Sequence, residues 1–214
     1  MSPGLRWGLK KLEYKTAMFK IYRILLCLLL LTGLTATAMA GSRGFGNRIF
    51  DPGKLLPVDS HLTVQVGDMA PDFELPAISG KSISLKAFRG KKNVMLSFIP
   101  AAWTPVCSDQ WPGYNITQEI FKKHDTIVLG ISVDNIPTLF AWTGEMGELW
   151  FDVLSDFWPH GDVSRRYGVL RSDGMADRAL FLIDKTGRLQ FAHVGDINVR
   201  PDLQIIVHEL EKLP

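Results

Sequence analysis

The chain has 214 residues, with 24 Lys and Arg, 22 Asp and Glu, 46% hydrophobic residues and two cysteines. This length suits one domain with an appendage, and the mixture of charged and apolar residues excludes wholesale disorder. Two cysteines exclude a disulfide framework, a four-thiolate zinc site and an iron–sulfur cluster. The formal net charge of +2 gives no reason to expect a nucleic-acid partner.

The first 40 residues contain the three parts of a secretory signal peptide. Lys20 and Arg23 precede the uncharged apolar run Ile24–Leu34, and an A-x-A sequence ends at Ala40. The run is shorter than the roughly 20 apolar residues of a spanning helix, which favours a cleaved signal and leaves a retained anchor open. The body is therefore expected to be exported, either periplasmic or anchored facing the periplasm, with membrane contact only through this segment.

The charges are unevenly distributed along the chain. Residues 1–40 hold six basic side chains and one acidic one, so the remainder has 18 basic and 21 acidic groups. Residues 41–57 are rich in Gly and Pro without an apolar period, which predicts a linker, and the domain is expected to span residues 58–214. Both Met1 and Met18 remain open as the start of translation.

Strand-like and helix-like stretches alternate through the domain. Three signals predict the strands and helices. Buried apolar runs predict strands, a turn that contains glycine predicts a hairpin, and apolar residues at helical spacing predict helices. The predicted strands and helices are, in chain order, Lys92–Ile99, a helix over Thr104–His124, Thr126–Val133, Asp152–Leu154, the hairpin Ala179–Asp184 and Arg188–Val194, and a helix over Leu203–Leu213. The order predicts an α/β fold, a mixed sheet flanked by helices.

Of the two cysteines, Cys107 has a sequence position that suggests a reactive thiol. Cys27 lies in the apolar run and is interpreted as an apolar filler, so Cys107 is the only thiol of the exported body. Thr104 is a good N-cap and Pro105 suits the first helical position, which puts Cys107 in the first turn of a helix. Unpaired N–H groups and the helix dipole favour a thiolate there.

The motifs around Cys107 resemble those of a known family. The pattern P-x-x-x-T-x-x-C is formed by Pro100, Thr104 and Cys107; VGDMAPDFEL stands upstream at 66–75, and DRALFLID at 177–184 contains Arg178. The chain is identified by these residues as similar to the AhpC/TSA family of peroxiredoxins. The stretch FDVLSDFWPHGDVSRRYGVL, at 151–170, looks most like the AhpE and bacterioferritin-comigratory branch.

The resemblance implies a thioredoxin-like fold and a thiol peroxidase. Cys107 would attack the peroxide and become a sulfenic acid. Arg178 would stabilise the thiolate and polarise the peroxide, and Thr104 would hydrogen-bond a peroxide oxygen. Pro100 would shield the thiol from water and over-oxidation.

Two further residues have implied roles. The backbone N–H groups of Val106 and Cys107 would receive charge that develops on the displaced oxygen, and Gln110 would orient the arginine. The implied substrate is hydrogen peroxide or an organic hydroperoxide. The resemblance implies no cofactor and no metal, and a homodimer is one of the expected assemblies.

No second cysteine stands where a resolving thiol is expected in this family. The position five residues after Cys107 is Pro112, and residues 186–214 contain no cysteine. We therefore expect a one-cysteine mode, in which an external thiol, either small or a thioredoxin-like protein, reduces the sulfenic acid.

Two alternatives remain open. An exported thioredoxin-like thiol–disulfide oxidoreductase would need a second redox cysteine, because Thr104 stands where a C-x-x-C motif has its first thiol. A non-catalytic binding module on the same scaffold would not need the site, yet the motif residues Pro100, Thr104, Cys107 and Arg178 are all present.

Overall fold

The computed structural model describes residues 44–213. The predicted signal or anchor segment at 1–40, with Cys27 and Met18, lies outside these described residues, as do residues 41–43 of the predicted linker. Within the described part, no helix is long and apolar enough to cross a membrane.

A mixed sheet forms the centre of the domain. A small antiparallel pair, β1 and β2, precedes a sheet in the order β5-β4-β3-β6-β7, in which β3, β4 and β5 are parallel and β6 and β7 are antiparallel to their neighbours. The strands are β1 Glu74–Pro76, β2 Ser82–Ser84, β3 Asn93–Phe98, β4 Thr126–Ser132, β5 Asp152–Ser155, β6 Ala179–Ile183 and β7 Leu189–Val194. The predicted mixed sheet is confirmed.

Helices cover both faces of this sheet. The α-helices are α1 Pro105–Gly113, α2 Gln118–Lys123, α3 Ile136–Met146, α4 Asp162–Tyr167 and α5 Leu203–Glu211. Short 3₁₀-helices occupy Phe45–Arg48, Leu85–Phe88 and Tyr114–Thr117. Because β3 and β6 are buried on both faces, β6 is a continuous apolar run and β3 is apolar except for Asn93 and Ser97, and neither shows an alternating pattern.

Two apolar cores lie on opposite sides of the sheet. In β3, Leu96 belongs to the core that contains Tyr167 of α4, whereas the preceding residue Met95 belongs to the core that contains Trp111 of α1 and Leu210 of α5. Successive strand side chains point to opposite faces, so one strand contributes to both cores. The two cores hold β3 and β6 in place, and the candidate site lies where the end of β3 meets the start of β6.

The single helix predicted over Thr104–His124 is wrong, because the chain forms α1, a 3₁₀-turn and α2 there. Pro112 lies inside α1, and a proline removes a backbone donor and crowds the carbonyl four residues earlier. The α-helix accordingly ends at Gly113, one residue later. The predicted strands and the C-terminal helix agree with the structure to within one or two residues at each end.

The segment predicted as a linker is tied to the domain over residues 45–57, which we call the strap. Phe45 packs against Trp103 with ring centroids 6.0 Å apart, and Arg48 forms an ion pair with Glu145. Near the other end of the strap, the Ile197 N–H donates to the carbonyl of Pro57 at 2.9 Å. The absence of an apolar period correctly indicates the irregular backbone, but composition does not reveal these hydrogen bonds and ring contacts. Residues 45–57 therefore form an irregular segment that contacts the domain near both of its ends.

Candidate active site

The junction between β3 and α1 positions Cys107. The buried residue Pro100 follows the strand, a short loop leads to Thr104, and α1 begins at Pro105. The first intrahelical backbone bond runs from the Ser108 N–H to the Thr104 carbonyl, at 3.0 Å. The N–H groups of Val106 and Cys107 precede that bond, as expected for the first turn of a helix. Cys107 is fully buried.

The loop before α1 is held in an unusual conformation. Trp103 has a φ of 61°, in the left-handed region that bulky side chains rarely adopt. The Ala102 N–H donates to a carboxylate oxygen of Asp134 at 2.7 Å, and the same oxygen accepts from the Ser132 hydroxyl at 2.6 Å. From the strap, the Phe50 N–H donates to the Trp103 carbonyl at 2.7 Å. These contacts stabilise the loop from both sides of Trp103.

Sheet register brings Arg178 to the thiol. Strands β3 and β6 are antiparallel and pair Phe98 with Ala179, so the residue before β6 lies beside the end of β3. Arg178 is 2% exposed, and its Nη2 donates to Sγ of Cys107 at 3.5 Å. The structure therefore brings the guanidinium and the sulfur, which are 71 positions apart in the sequence, into direct contact.

Two acceptors fix the guanidinium of Arg178. Its Nη2 donates to the carbonyl of Ile197 at 2.9 Å and its Nε to the same oxygen at 3.3 Å, while Nη1 donates to Oε1 of Gln110. The planar fork therefore contacts Gln110, Ile197 and Cys107 together. Because each contact uses a different direction of the same rigid group, the orientation of Arg178 is determined by its partners.

Gln110 is itself held by a buried polar network. Its Nε2 donates to the Tyr114 hydroxyl at 2.8 Å and to the Ser97 hydroxyl at 3.2 Å, and Nε1 of Trp111 also donates to Ser97 at 3.2 Å. Burial raises the pKa of Tyr114, so its phenol stays neutral at neutral pH. With its amide nitrogen satisfied by hydroxyls, Gln110 presents its carbonyl oxygen to Arg178.

Thr104 occupies the N-cap position but does not cap the helix with its side chain. The structure contains no hydrogen bond from its side chain to the helix, and the hydroxyl instead donates to the carbonyl of Ala101 at 2.9 Å. The side-chain capping role predicted from the sequence is therefore wrong. Since its one proton is used, this hydroxyl would act toward a substrate as an acceptor.

A cavity of about 440 Å³ lies beside this group of residues. Its lining includes Pro100, Thr104, Val106 and Arg178, whereas the buried Cys107 does not line it but contacts Arg178. Of the six residues predicted from the sequence, these four line the cavity, and the other two, Cys107 and Gln110, both contact Arg178.

Sequence reasoning missed several residues of the site. Ile197 holds Arg178 through its backbone carbonyl, and a backbone acceptor in a loop has no sequence signature. Tyr114 lies seven positions after Cys107 and four after Gln110, a spacing that places all three on one side of a helical path, and this signal could have identified it. Within residues 44–213, no cluster of His, Cys, Asp or Glu could hold a metal ion.

Comparison with known proteins gives a consistent result. The family model described as AhpC/TSA family matches residues 66–192. The alkyl hydroperoxide reductase E of Mycobacterium tuberculosis is 39% identical over 132 residues, which is 61% of this chain and 86% of that protein. The chloroplastic 2-cysteine peroxiredoxin of Chattonella marina var. antiqua is 36% identical over 146 residues, covering 64% and 74% of the two chains.

Solved structures show the same likeness. The reduced 2-Cys peroxiredoxin of Plasmodium vivax superposes with a TM-score of 0.65 at 29% identity, covering 69% of this chain and 81% of the other. The AhpC of Mycobacterium tuberculosis gives a TM-score of 0.63 at 25% identity, covering 69% and 92%.

Proposed function

The chain belongs to the AhpC/TSA family of peroxiredoxins, and from that premise we propose that it is a thiol peroxidase whose attacking sulfur is Cys107. Peroxiredoxins act on peroxides with thiol reductants and often form dimers. The observation that carries the proposal is the buried contact of 3.5 Å between Nη2 of Arg178 and Sγ of Cys107. A cation fixed in that position stabilises both the thiolate and negative charge that develops next to it.

The oxidation step follows from these groups. The Cys107 thiolate attacks the terminal oxygen of a hydroperoxide, a sulfur–oxygen bond forms and the O–O bond breaks. The displaced alkoxide or hydroxide takes up a proton and leaves as an alcohol or water, and Cys107 becomes a sulfenic acid. Arg178 and the N–H groups of Val106 and Cys107 stabilise the charge on the displaced oxygen, and Thr104 accepts a hydrogen bond from the substrate.

We propose a one-cysteine mode for the reduction of this sulfenic acid. The only other cysteine in the sequence is Cys27, inside the predicted signal or anchor segment. An external thiol would form a mixed disulfide with Cys107 and release water, and a second thiol would then release the Cys107 thiol and an external disulfide. Some of the matched relatives are called 2-cysteine peroxiredoxins. A different reduction route is supported here because this sequence has no cysteine at the positions where a resolving thiol is expected.

A peroxide-consumption assay tests the proposed function. The full chain is mixed with peroxide and an excess of an external thiol, and the loss of peroxide is followed over time. We expect many turnovers for the wild type and none above background for Cys107→Ser. Equal consumption by both proteins would overturn the proposal. Export is proposed from the sequence and a homodimer from the family, and N-terminal sequencing of protein from fractionated cells tests export.

A further inference from the structure

The guanidinium of Arg178 is oriented by a backbone oxygen on one edge and by a side chain on the other. Nε and Nη2 both donate to the carbonyl of Ile197, so this oxygen holds one edge of the planar fork. Nη1, which lies off that edge, donates to Oε1 of Gln110. The direction in which Nη2 points at Sγ of Cys107 therefore depends on where the Gln110 amide lies.

The amide of Gln110 can serve Arg178 in only one orientation. A guanidinium only donates hydrogen bonds, so the amide oxygen must face it and the two amide protons need acceptors elsewhere. Both protons go to hydroxyl oxygens, at 2.8 Å to Tyr114 and at 3.2 Å to Ser97. Gln110, Tyr114 and Ser97 are all fully buried, so bulk water cannot replace either acceptor. Of the two, the tyrosine oxygen is the closer anchor.

Tyr114 is itself held by contacts that do not involve the thiol or the arginine. Because α1 ends at Gly113, Tyr114 begins the 3₁₀-turn that follows. Its ring packs against Phe151 with ring centroids 6.1 Å apart. Its carbonyl accepts from Nε1 of Trp150 and from the hydroxyl of Thr117, both at 3.1 Å. The phenol oxygen is thus a fixed point against which the Gln110 amide is held.

We propose that Tyr114 is a positioning residue for the peroxidase reaction: its hydroxyl holds the Gln110 amide, and that amide keeps Nη2 of Arg178 directed at Sγ of Cys107. The inference rests on the proposed peroxidase function. Tyr114 does not line the cavity, and it acts only through Gln110 and Arg178. The motif P-x-x-x-T-x-x-C ends at Cys107, seven positions earlier, and does not contain this residue.

The test compares Tyr114→Phe with Tyr167→Phe on the full chain, since each change removes only a phenolic oxygen. Tyr167 is the matched control because it is also fully buried, and its hydroxyl donates to the carbonyl of Pro71 at 2.8 Å in the opposite core. Ser97→Ala, which removes the other acceptor of the same amide, is a second variant. Stopped-flow tryptophan fluorescence gives the rate constant for oxidation of Cys107 by hydrogen peroxide. Alkylation by iodoacetamide across a pH series gives the midpoint for ionisation of the thiol.

We expect Tyr114→Phe to react with hydrogen peroxide about fivefold more slowly, the effect of losing one hydrogen bond of typical strength. The alkylation midpoint should move to higher pH by about half a unit, because a guanidinium held less firmly stabilises the thiolate less. Ser97→Ala should move the midpoint in the same direction. Tyr167→Phe should keep the wild-type rate and midpoint, although both tyrosine variants lose similar stability in urea, since each loses one buried hydrogen bond.

Equal rates and midpoints for Tyr114→Phe and Tyr167→Phe would overturn the inference. A slower rate with an unmoved midpoint would also overturn it, because it would show a structural effect alone. If hydrogen peroxide does not oxidise the wild type, the proposed function fails as well. If it oxidises the wild type and both tyrosine variants equally fast, only this inference fails.

Discussion

Replacing Arg178 with lysine keeps the positive charge but removes the planar fork. The guanidinium of Arg178 contacts Gln110, Ile197 and Cys107 at the same time. A lysine ammonium is a compact charge on a flexible stem, and it cannot reproduce the three directions of that group. The variant therefore separates the effect of charge from the effect of a correctly aimed donor.

The size of the effect follows from the lost bond to sulfur. A hydrogen bond to a charged group contributes about 1.5–3 kcal/mol, and loss of one donor that stabilises a developing oxyanion costs about 2.7–4 kcal/mol. Since the lysine keeps part of the Coulombic attraction, we take about 2–3 kcal/mol. This corresponds to a rate roughly 30- to 150-fold lower for peroxide attack on Cys107.

Stopped-flow oxidation of the wild type and Arg178→Lys measures this rate directly. The control is Arg165→Lys, the same change at an exposed position on α4, which should react like the wild type. A thermal melt of each protein checks that the site remains folded at the assay temperature. An Arg178→Lys rate within about threefold of the wild type would refute the role given to the guanidinium fork.

Four other outcomes are expected. Thr104→Val should slow peroxide attack about fivefold while alkylation by iodoacetamide changes less than twofold, since one hydrogen bond contributes about 1 kcal/mol; equal slowing of both reactions would contradict a substrate role. Arg171→Met should lower the free energy of unfolding in urea by about 3–5 kcal/mol, because it leaves the buried carboxylate of Asp177 unpaired; a smaller loss would show that this pair is not structural. Burial alone would raise the pKa of Asp184, but hydrogen bonds from Thr186, Arg188 and Gln190 outweigh burial and hold the pKa below its usual value. The carboxylate therefore stabilises the fold above about pH 4, and this contribution is lost on further acidification. Asp184→Asn should accordingly be about 1–2 kcal/mol less stable at pH 7 and should lose less stability between pH 5 and 3, as measured by urea unfolding, whereas an unchanged pH profile would contradict the assignment. N-terminal sequencing of the protein from fractionated cells should find an exported form, and a cytosolic chain that begins at Met1 or Met18 would contradict export.

The elements that sequence patterns predicted well are those with strong local signals. β3 and β4 are buried on both faces, so their apolar runs stand out, and the hairpin after β6 is marked by Gly187 with a φ of 87°. The β1 and β2 strands are three residues each, too short for any periodicity to be visible. The break after α1 depended on how strongly Pro112 limits a helix, which periodicity alone does not indicate.

In the candidate site too, some residues could be predicted from the sequence and others could not. Cys107, Thr104 and Arg178 were found from motifs, and the register of β3 with β6 explains why residues 71 positions apart meet. The carbonyl of Ile197 and the contacts of the strap could not be predicted, because they depend on where an irregular backbone packs. A chain of Gly and Pro residues predicts irregular structure equally well whether the segment is free or bound.

The central claim is that peroxide oxidises Cys107 and that no second protein thiol resolves it. Intact-mass measurement after substoichiometric peroxide, followed by peptide mapping, tests it most directly. We predict a chain without an intermolecular disulfide that gains one oxygen atom on Cys107 and loses it again on addition of an external thiol. A disulfide-linked dimer formed through Cys107, or an unmodified Cys107 after peroxide treatment, would contradict the account.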